Sequence, residues 1–429
     1  MSYTNEDLHK MQSWSLERKI RVTQTRIIEW YEHFNGKTSV SFSGGLDSTV
    51  LLDLARRAYP DIEAVFVNTT MEFPEILQFV KTFENVKILT PAMNYGQVVK
   101  KYGYPVISKE QADLIHRMQS NEACKKAYMD RFHEKPLEWI RRNFHTIPLT
   151  FFKCLFGLSK KRAQHFIETG ELPKSKYAIS KKWQYLIDAP FPIHNACCDI
   201  LKKGPIKKYQ KLTGKNTIVG TTAEESILRK QVWLKNGCNS FDSKEPKSQP
   251  MSFWTHQDVL KYIKTVGIPY ASIYGSIEED KNGRLYTTKY QRTGCMGCLF
   301  GCHLEKGTNR LQMLKTTHPK VYKYLFEKLD YAKVCDFIGI PYDNKEVISM
   351  AHNYTRQRQG RDFPADNYLK NAEMSVECNY NNIDGIINGS QKADEEKKSF
   401  LERLETYKSE TERNAIPVDG REPGERGRC

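Results

Sequence analysis

The sequence predicts an α/β protein built on a doubly wound, mostly parallel sheet. Apolar runs rich in β-branched residues occur at 38–42, 62–67 and 86–89, and segments with helical spacing lie between them at 48–58 and 75–83. Buried parallel strands are continuously apolar, and strand–helix alternation is typical of doubly wound sheets. A glycine-rich turn joins the first strand to the helix that follows, which is where such sheets bind anions.

Three further elements extend this core. Helical spacing over residues 16–34 predicts an amphipathic helix ahead of the sheet. The apolar positions that define its face are Ile20, Ile27, Ile28 and Tyr31. A later strand is predicted at 217–219, and a helix within 250–267 has a capping-type start at Thr255.

Changes in composition divide the chain into four parts. They are an N-terminal helical segment (1–36), a nucleotide-binding domain (37–275), a cysteine-containing helical region (276–385) and a charged, flexible tail (386–429). A helical insertion rich in Lys and Arg, at about 109–185, carries Trp139 and Trp183. It is either a lid for nucleic acid or a solvated helical hairpin, and on the sequence alone we favour the hairpin.

The overall charge favours an anionic partner. The chain of 429 residues has 66 Lys and Arg against 51 Asp and Glu, a formal net charge of +15. Such an excess suits a nucleotide or nucleic acid, although a basic, soluble surface would give the same number. The N-terminus is polar and no apolar run of about 18 residues occurs, so we expect a cytoplasmic protein with no membrane partner.

The glycine-rich turn predicts a phosphate site. A strand that ends in such a turn and opens a helix exposes free backbone N–H groups, and Gly44 and Gly45 let a phosphate approach without a Cβ clash. Hydroxyl donors are available from Ser43, Ser48 and Thr49. A carboxylate beside phosphate needs a cation, so Asp47 predicts bound Mg²⁺. The alternative is a plain tight turn with Asp47 as a helix cap.

The segment SGGLDS at 43–48 resembles the SGGxDS signature of the PP-loop ATP pyrophosphatases, in the adenine nucleotide α-hydrolase-like superfamily. It lacks the GxxxxGK[ST] form of the Walker motif. The resemblance implies that the loop holds the pyrophosphate end of ATP, which is cut between the α and β phosphates. Many relatives have Lys where this chain has Leu46, so cations from elsewhere must neutralise the phosphates.

Two further segments resemble the PAPS reductase branch of that superfamily. The stretch AVFVNTTMEFPEILQFV at 64–80 is similar to its "VFVDTGxEFPE" motif, which implies that Val67, Asn68 and Thr69 lie beside the adenosine. Lys109, in GYPVISKEQ, resembles a recurrent catalytic position of the branch. Otherwise, Lys109 is an exposed lysine at the start of a helix.

The segment GTTAEESILRK at 220–230 is similar to the family's GxRxxESxxR. The resemblance implies that Gly220, Glu225 and Arg229 contact the nucleotide, with Arg229 forking onto phosphate or sulfate oxygens. A surface Glu–Arg pair at i, i+4 spacing would explain the same residues. Thr222 stands where the family often has Arg. The 250–275 segment also matches the family, but its residues are expected to be core: Trp254, Val259 and Tyr262.

Four cysteines predict a metal centre. HNACC ends at Cys198, and about a hundred residues later RTGCMGC ends at Cys298. Four thiolates from two loops suit either a tetrahedral Zn²⁺ or a [4Fe–4S] cluster, and the alternative is inert thiols or a disulfide. The pattern resembles the cluster ligation of assimilatory adenylyl-sulfate reductases, which implies that the ligands are Cys197, Cys198, Cys295 and Cys298.

Other cysteines have less distinctive surroundings. Cys302 either replaces one of the four ligands or is a free thiol. Ordinary buried or loop thiols are expected at Cys124, Cys154, Cys238 and Cys335.

Three functions compete. The intact loop favours an ATP pyrophosphatase that activates a nucleic acid or another acceptor for sulfur transfer, resembling the cluster-bearing ATP pyrophosphatases of DNA phosphorothioation. Its partners would be an adenine nucleotide and a thiol, sulfur donor or sulfur-carrier protein. The second is a reductase of adenylyl sulfate or its 3′-phosphate, for which Cys378 in VECNY would be the nucleophile. The third is a nucleotide-sensing module without turnover.

Overall fold

A six-stranded sheet is the centre of the protein. The computed structural model describes residues 3–130, 136–171, 177–241 and 245–343, all of which belong to one compact unit. The strands are β1 (Thr38–Ser41), β2 (Glu63–Val67), β3 (Val86–Leu89), β4 (Val106–Ile107), β5 (Asn216–Val219), β6 (Asn239–Ser240), β7 (Lys247–Ser248), β8 (Ile277–Glu279), β9 (Leu285–Thr287) and β10 (Leu299–Phe300).

The sheet has the predicted doubly wound arrangement. Its strand order is β3-β2-β1-β5-β7-β6, and every neighbouring pair is parallel except β6 with β7. Strand β1 is central, since Val40 pairs with Ala64 on one side and Ile218 on the other. Its carboxyl end therefore opens at the crevice where such sheets bind ligands. Outside this sheet, β4 pairs with β10 and β8 with β9.

Helices cover the sheet and form the insertion. They are α1 (Asn5–Gln12), α2 (Leu16–His33), α3 (Leu46–Ala58), α4 (Pro74–Val80), α5 (Tyr95–Tyr102), α6 (Lys109–Gln119), α7 (Glu122–Asp130), α8 (Pro136–Asn143), α9 (Leu149–Phe156), α10 (Lys160–Thr169), α11 (Ala196–Cys198), α12 (Gly204–Thr213), α13 (Ile227–Asn236), α14 (His256–Val266), α15 (Arg310–Thr317), α16 (Pro319–Lys328) and α17 (Tyr331–Ile338). No helix in these described ranges is long and apolar enough to span a bilayer.

The predicted elements are present, with shifted ends. The helix after the glycine-rich turn begins at Leu46, so Asp47 lies in its first turn. Thr255 forms the predicted capping box with Asp258 at the start of α14. The predicted face of α2 is partly wrong, because Ile28 is 42% exposed. The buried positions of that helix are Leu16, Lys19, Thr23, Ile27 and Trp30.

The insertion is not a solvated hairpin. Its described part contains α6 to α10 and a 3-10 helix at Lys181–Asp188, and its buried side chains join the core of the protein. Trp139 packs on Phe151 with ring centroids 6.0 Å apart, and both side chains are buried. A solvated hairpin would leave these aromatic side chains in water. Their burial instead stabilises the packing of the helices in the insertion.

Candidate functional site

Close packing around the loop after β1 requires its glycines. Gly44 has φ +70°, and a Cβ there would lie 2.8 Å from Ile76 Cγ2. A Cβ on Gly220 would lie 3.1 Å from the carbonyl oxygen of Asp47. The loop is thus held between α4 and the turn after β5, at the N-terminus of α3, where the N-cap Gly45 supplies no side-chain cap.

The loop hydroxyls mainly shape the loop. Ser48 and Thr49 are buried, and each donates a hydrogen bond of 2.9 Å to the carbonyl oxygen of Gly45. The backbone N–H of Ser43 donates to Ser48 Oγ at 3.1 Å. Ser43 itself is exposed, so its hydroxyl is the one that faces solvent at this point.

Asp47 lies among cations. Burial raises the pKa of its carboxyl above the usual value, and the nearby side chains of His256, Arg229 and Arg292 act in the opposite direction. Glu224 adds to the increase. A buried carboxylate beside two arginines and a histidine forms a mixed-charge site, which suits a phosphate bound together with a cation.

Arg229 belongs to this site and also to a surface pair. It forms an ion pair with Glu225 at i, i+4 spacing, as the simpler interpretation predicted. Burial lowers the pKa of Arg229, while Asp47 raises it. Arg229 therefore lies within electrostatic reach of the loop, and the two interpretations are compatible.

A segment far along the chain closes the loop from the other side. Tyr274 Oη and Thr293 Oγ1 are 2.6 Å apart, and both lie near the Cα of Gly45: a Cβ there would be 3.4 Å from the phenol oxygen. Burial raises the pKa of Tyr274 to about 12, and the backbone N–H of Leu46 acts against this by bonding the phenol oxygen. Tyr274 thus contacts the first helical amide of α3.

The carboxyl end of β2 connects the loop to the cysteines. Asn68 accepts a hydrogen bond of 3.0 Å from the backbone N–H of Thr70 and, with Val67, ends the strand. Thr69 is fully buried, donates to Glu72 Oε1 at 2.7 Å and lies 3.4 Å from Cys295 Sγ. Thr69 therefore faces the cysteines in this structure.

The four predicted cysteines come together from two parts of the chain. Cys197 and Cys198 lie on α11, which widens into a π-helical turn at Asp199–Lys203. Their thiols share a hydrogen bond that raises the pKa of Cys197 and lowers that of Cys198, and Cys298 and Cys295 are near enough to raise the former further. The nine cysteines of the described ranges are all unpaired thiols.

Two lysines lie beside these thiols. Lys109 and Lys202 both lower the pKa of Cys198. Burial lowers the pKa of Lys202, but Glu72, 3.7 Å away, and the thiols outweigh this and raise it. Lys109 is an exposed lysine and the first residue of α6, as the simpler interpretation predicted, and its ammonium group also lies close to Cys198.

The CMGC loop at 295–298 is tightly clamped. The phenol oxygens of Tyr95 and Tyr331 lie 2.5 Å from the carbonyl oxygen of Gly297 and from each other. A Cβ on Gly297 would lie 2.8 Å from Tyr95 Cε1. Arg310 donates to the carbonyl oxygen of Cys298 at 3.3 Å. The backbone path between the two loop cysteines is therefore fixed by packing.

The remaining cysteines are buried. Cys302 lies near Cys298, and burial raises the pKa of its thiol to about 12. The others are buried as expected: Cys124, Cys154, Cys238 and Cys335. Across the described ranges, no three His, Cys, Asp or Glu side chains are grouped closely enough to hold a single metal ion. Cys378 lies outside the described residues.

Sequence reasoning missed several members of the site. Arg292 and Thr293 precede the second cysteine pair in the quoted motif, but they were not assigned to the nucleotide loop. His256 and Tyr274 lie in a stretch expected to be core, and its large side chains Trp254, Val259 and Tyr262 are indeed buried. No spacing rule links residue 292 to residue 47, so only the fold reveals their proximity.

Comparison with known proteins identifies the family. The profile of the phosphoadenosine phosphosulfate reductase domain matches residues 37–135 and 161–299. A domain of unknown function, DUF4316, matches 365–405, outside the described residues. A solved phosphoadenylyl-sulfate reductase from Candida auris, in a phosphate complex, aligns with 66% of this chain and 98% of its own at 14% identity and a TM-score of 0.30.

Curated relatives match only in part. Two uncharacterized proteins of Methanocaldococcus jannaschii are 28% and 34% identical over 118 and 115 residues, 26% of this chain each. An adenosine 5′-phosphosulfate reductase of Anoxybacillus flavithermus is 25% identical over 18% of this chain. The matches span 28%, 23% and 36% of those relatives. Because the domain profile covers more than half of the residues, this chain belongs to the phosphoadenosine phosphosulfate reductase domain family.

Proposed function

We propose that this protein binds ATP at the loop of residues 43–49 and cleaves it between the α and β phosphates to adenylate an acceptor for sulfur transfer. The observation that carries the proposal is the arrangement around Asp47: a helix N-terminus without a side-chain cap, the Asp47 carboxylate and the nearby cations Arg229 and Arg292. The arginines supply the positive charge that Leu46 does not. Asp47 would be a ligand of Mg²⁺, which would neutralise phosphate charge when bound.

The protein groups act by position and charge. Amides of α3 bind the pyrophosphate end, and Arg229 and Arg292 stabilise the charge that develops on it as it leaves. His256 lies within electrostatic reach of Asp47 and would add a polar group on this side of the loop. The ends of β2, at Val67 and Asn68, line the crevice in which an adenosine would lie.

A [4Fe–4S] cluster is part of this proposal, and its ligands would be Cys197, Cys198, Cys295 and Cys298. Four thiols converge from two rigid segments, and Lys109 and Lys202 offset the negative charge that thiolates would carry. When bound, such a cluster would tune the local electrostatics or carry sulfur. Iron and zinc content after anaerobic purification, with a visible spectrum, distinguishes the cluster from a zinc site.

The reaction is tested with ATP labelled at the α phosphate, with duplex DNA, transfer RNA or neither present. Release of pyrophosphate is expected, with the labelled adenylyl group on the acceptor and free AMP once water or a sulfur donor displaces it, and Asp47→Asn should lower the rate about 100-fold, since one charged contact to the reacting phosphates is lost. The matched control is Asp61→Asn, an exposed aspartate before β2. Unchanged turnover in Asp47→Asn, or ADP as product, would overturn the proposal.

A sulfonucleotide reductase is the second candidate, because one relative is an adenosine 5′-phosphosulfate reductase. It predicts sulfite from adenylyl sulfate and a thiol reductant, abolished by Cys378→Ser. Nucleotide binding without either product would instead indicate a sensing module.

A further inference from the structure

Three consecutive helices of the insertion form a small aromatic unit. Trp139 of α8 packs on Phe151 of α9, and the ring centroids of Phe156 on α9 and Phe166 on α10 are 6.1 Å apart. Phe144, just after α8, contacts Phe152 with centroids 5.0 Å apart. The three helices thus share one core.

The connection from α9 to α10 is a short turn of the kind found in helix-turn-helix motifs. Helix α9 ends at Gly157, whose φ of +63° is left-handed, and α10 begins after Ser159, whose hydroxyl accepts from the N–H of Arg162. Leu158 between them is fully buried. A three-residue turn with glycine, joining two short helices over a shared core, is one feature of this motif.

Helix α10 has one face buried against the protein and one face exposed to solvent. On α10, Ala163 and Phe166 are buried. The exposed side chains are Lys160, Lys161, Arg162, Gln164, His165, Glu168 and Thr169. Three adjacent cations in the first turn face solvent, with a glutamine one turn further on, and in DNA-binding proteins this part of the recognition helix contacts bases and phosphates.

The first two helices of this unit lie where the chain departs from the family profile. The profile stops at 135 and resumes at 161, so α8, α9 and the turn lie in the interruption, whereas α10 lies almost entirely in the second matched segment. The interruption therefore adds two helices and a turn directly before the basic start of α10.

We propose that α8 to α10 form a helix-turn-helix that binds duplex DNA, with α10 in the major groove. Lys160, Lys161 and Arg162 would contact phosphates and guanine edges, and Gln164 suits adenine. The major groove of B-form DNA admits a helix, whereas that of A-form RNA is too narrow, so duplex DNA is the partner that this geometry fits. The inference does not depend on ATP cleavage.

The test measures binding of the full chain to a fluorescent mixed-sequence DNA duplex of about 30 base pairs, roughly three helical turns, by anisotropy over a range of salt. The triple variant K160A/K161A/R162A should bind about tenfold or more weakly, and its slope of log K against log salt should fall by about two to three. The matched control, K207A/K208A/K211A, removes the same charge from the exposed face of α12 and should bind as the wild type does.

Two results would overturn the inference. One is equal loss of binding in both triple variants, which would mean that net charge alone attracts DNA. The other is tighter binding to single-stranded DNA or an RNA hairpin than to the duplex. Asp47→Asn, tested in parallel without ATP, should bind DNA as the wild type does. Failure of the proposed ATP cleavage would therefore leave the DNA-binding result unaffected.

Discussion

At the scale of single residues, Arg292 illustrates how one side chain can serve a loop from which it is far away in sequence. It lies in the segment that also contributes Thr293 to the loop and Cys295 to the cysteines. A guanidinium so placed can bind phosphate oxygens in a bidentate way. The same segment therefore joins the nucleotide loop and the cysteine cluster.

Arg292→Ala should raise the KM for ATP about tenfold, which corresponds to one charge-assisted contact of about 1.4 kcal/mol. Steady-state pyrophosphate release measures it. Arg284→Ala, an exposed arginine on the β8–β9 hairpin, is the control and should leave KM unchanged. Equal KM values for ATP in the two variants would show that Arg292 does not contact the nucleotide.

At the scale of elements, two glycines at the CMGC loop can be compared. Gly297 lies within the loop, and Gly294 directly precedes it. A Cβ on Gly297 would clash with Tyr95 and with Leu325 Cδ2 at 2.9 Å, whereas nothing lies within 4 Å of one on Gly294. Gly297→Ala should therefore displace Cys298 and lower the iron content per chain at least twofold, and Gly294→Ala should not. Iron assay and visible absorption check it, and equal iron in both variants would contradict the role of the clamp.

Glu63, at the start of β2 and next to α12 and β5, contributes to the stability of the fold in a way that depends on pH. Burial raises the pKa of Glu63, but hydrogen bonds from Lys215, at 2.6 Å, and Tyr209 outweigh it and hold the pKa below its usual value. A lowered folded-state pKa stabilises the protein above the unfolded value, and this contribution is lost as pH falls through the folded one.

Glu63→Gln should lower the free energy of unfolding by about 1 kcal/mol at pH 7, a small value because the pair is partly solvated. The difference from wild type should shrink as pH falls below about 4, near the ordinary pKa of glutamate. Urea titrations at several pH values measure it, with exposed Glu171→Gln as control. If the difference in free energy of unfolding instead grew as the pH falls, the lowered pKa of Glu63 could not be its cause.

At the scale of the whole molecule, a buried ion pair joins helix α2 near the N-terminus to the first turn of α14. Lys19, 1% exposed, donates to Asp258 Oδ2 and to the carbonyl oxygen of Gln12, each at 2.6 Å. Asp258 also accepts from the backbone N–H of Thr255 as part of the cap of α14. Residues 239 apart in sequence therefore stabilise one another.

Lys19→Met should cost about 3 kcal/mol of stability, because it leaves a carboxylate partly buried without its cation. Urea unfolding followed by circular dichroism measures this, and Lys10→Met on the exposed face of α1 is the control. A cost equal to that of the control would show that solvent replaces the lysine.

The sequence by itself determined the class of the sheet and the strand, glycine turn and helix at its centre. Those features are local, because the strand, the turn and the helix follow one another along the chain, so propensity and spacing suffice. The phosphate role of that turn and the metal role of the four cysteines stay predictions. Arg292 near Asp47, Thr69 against Cys295, and the aromatic packing of α8 to α10 depended on the tertiary structure. They join residues through a shared core and crossover topology, which no local pattern specifies.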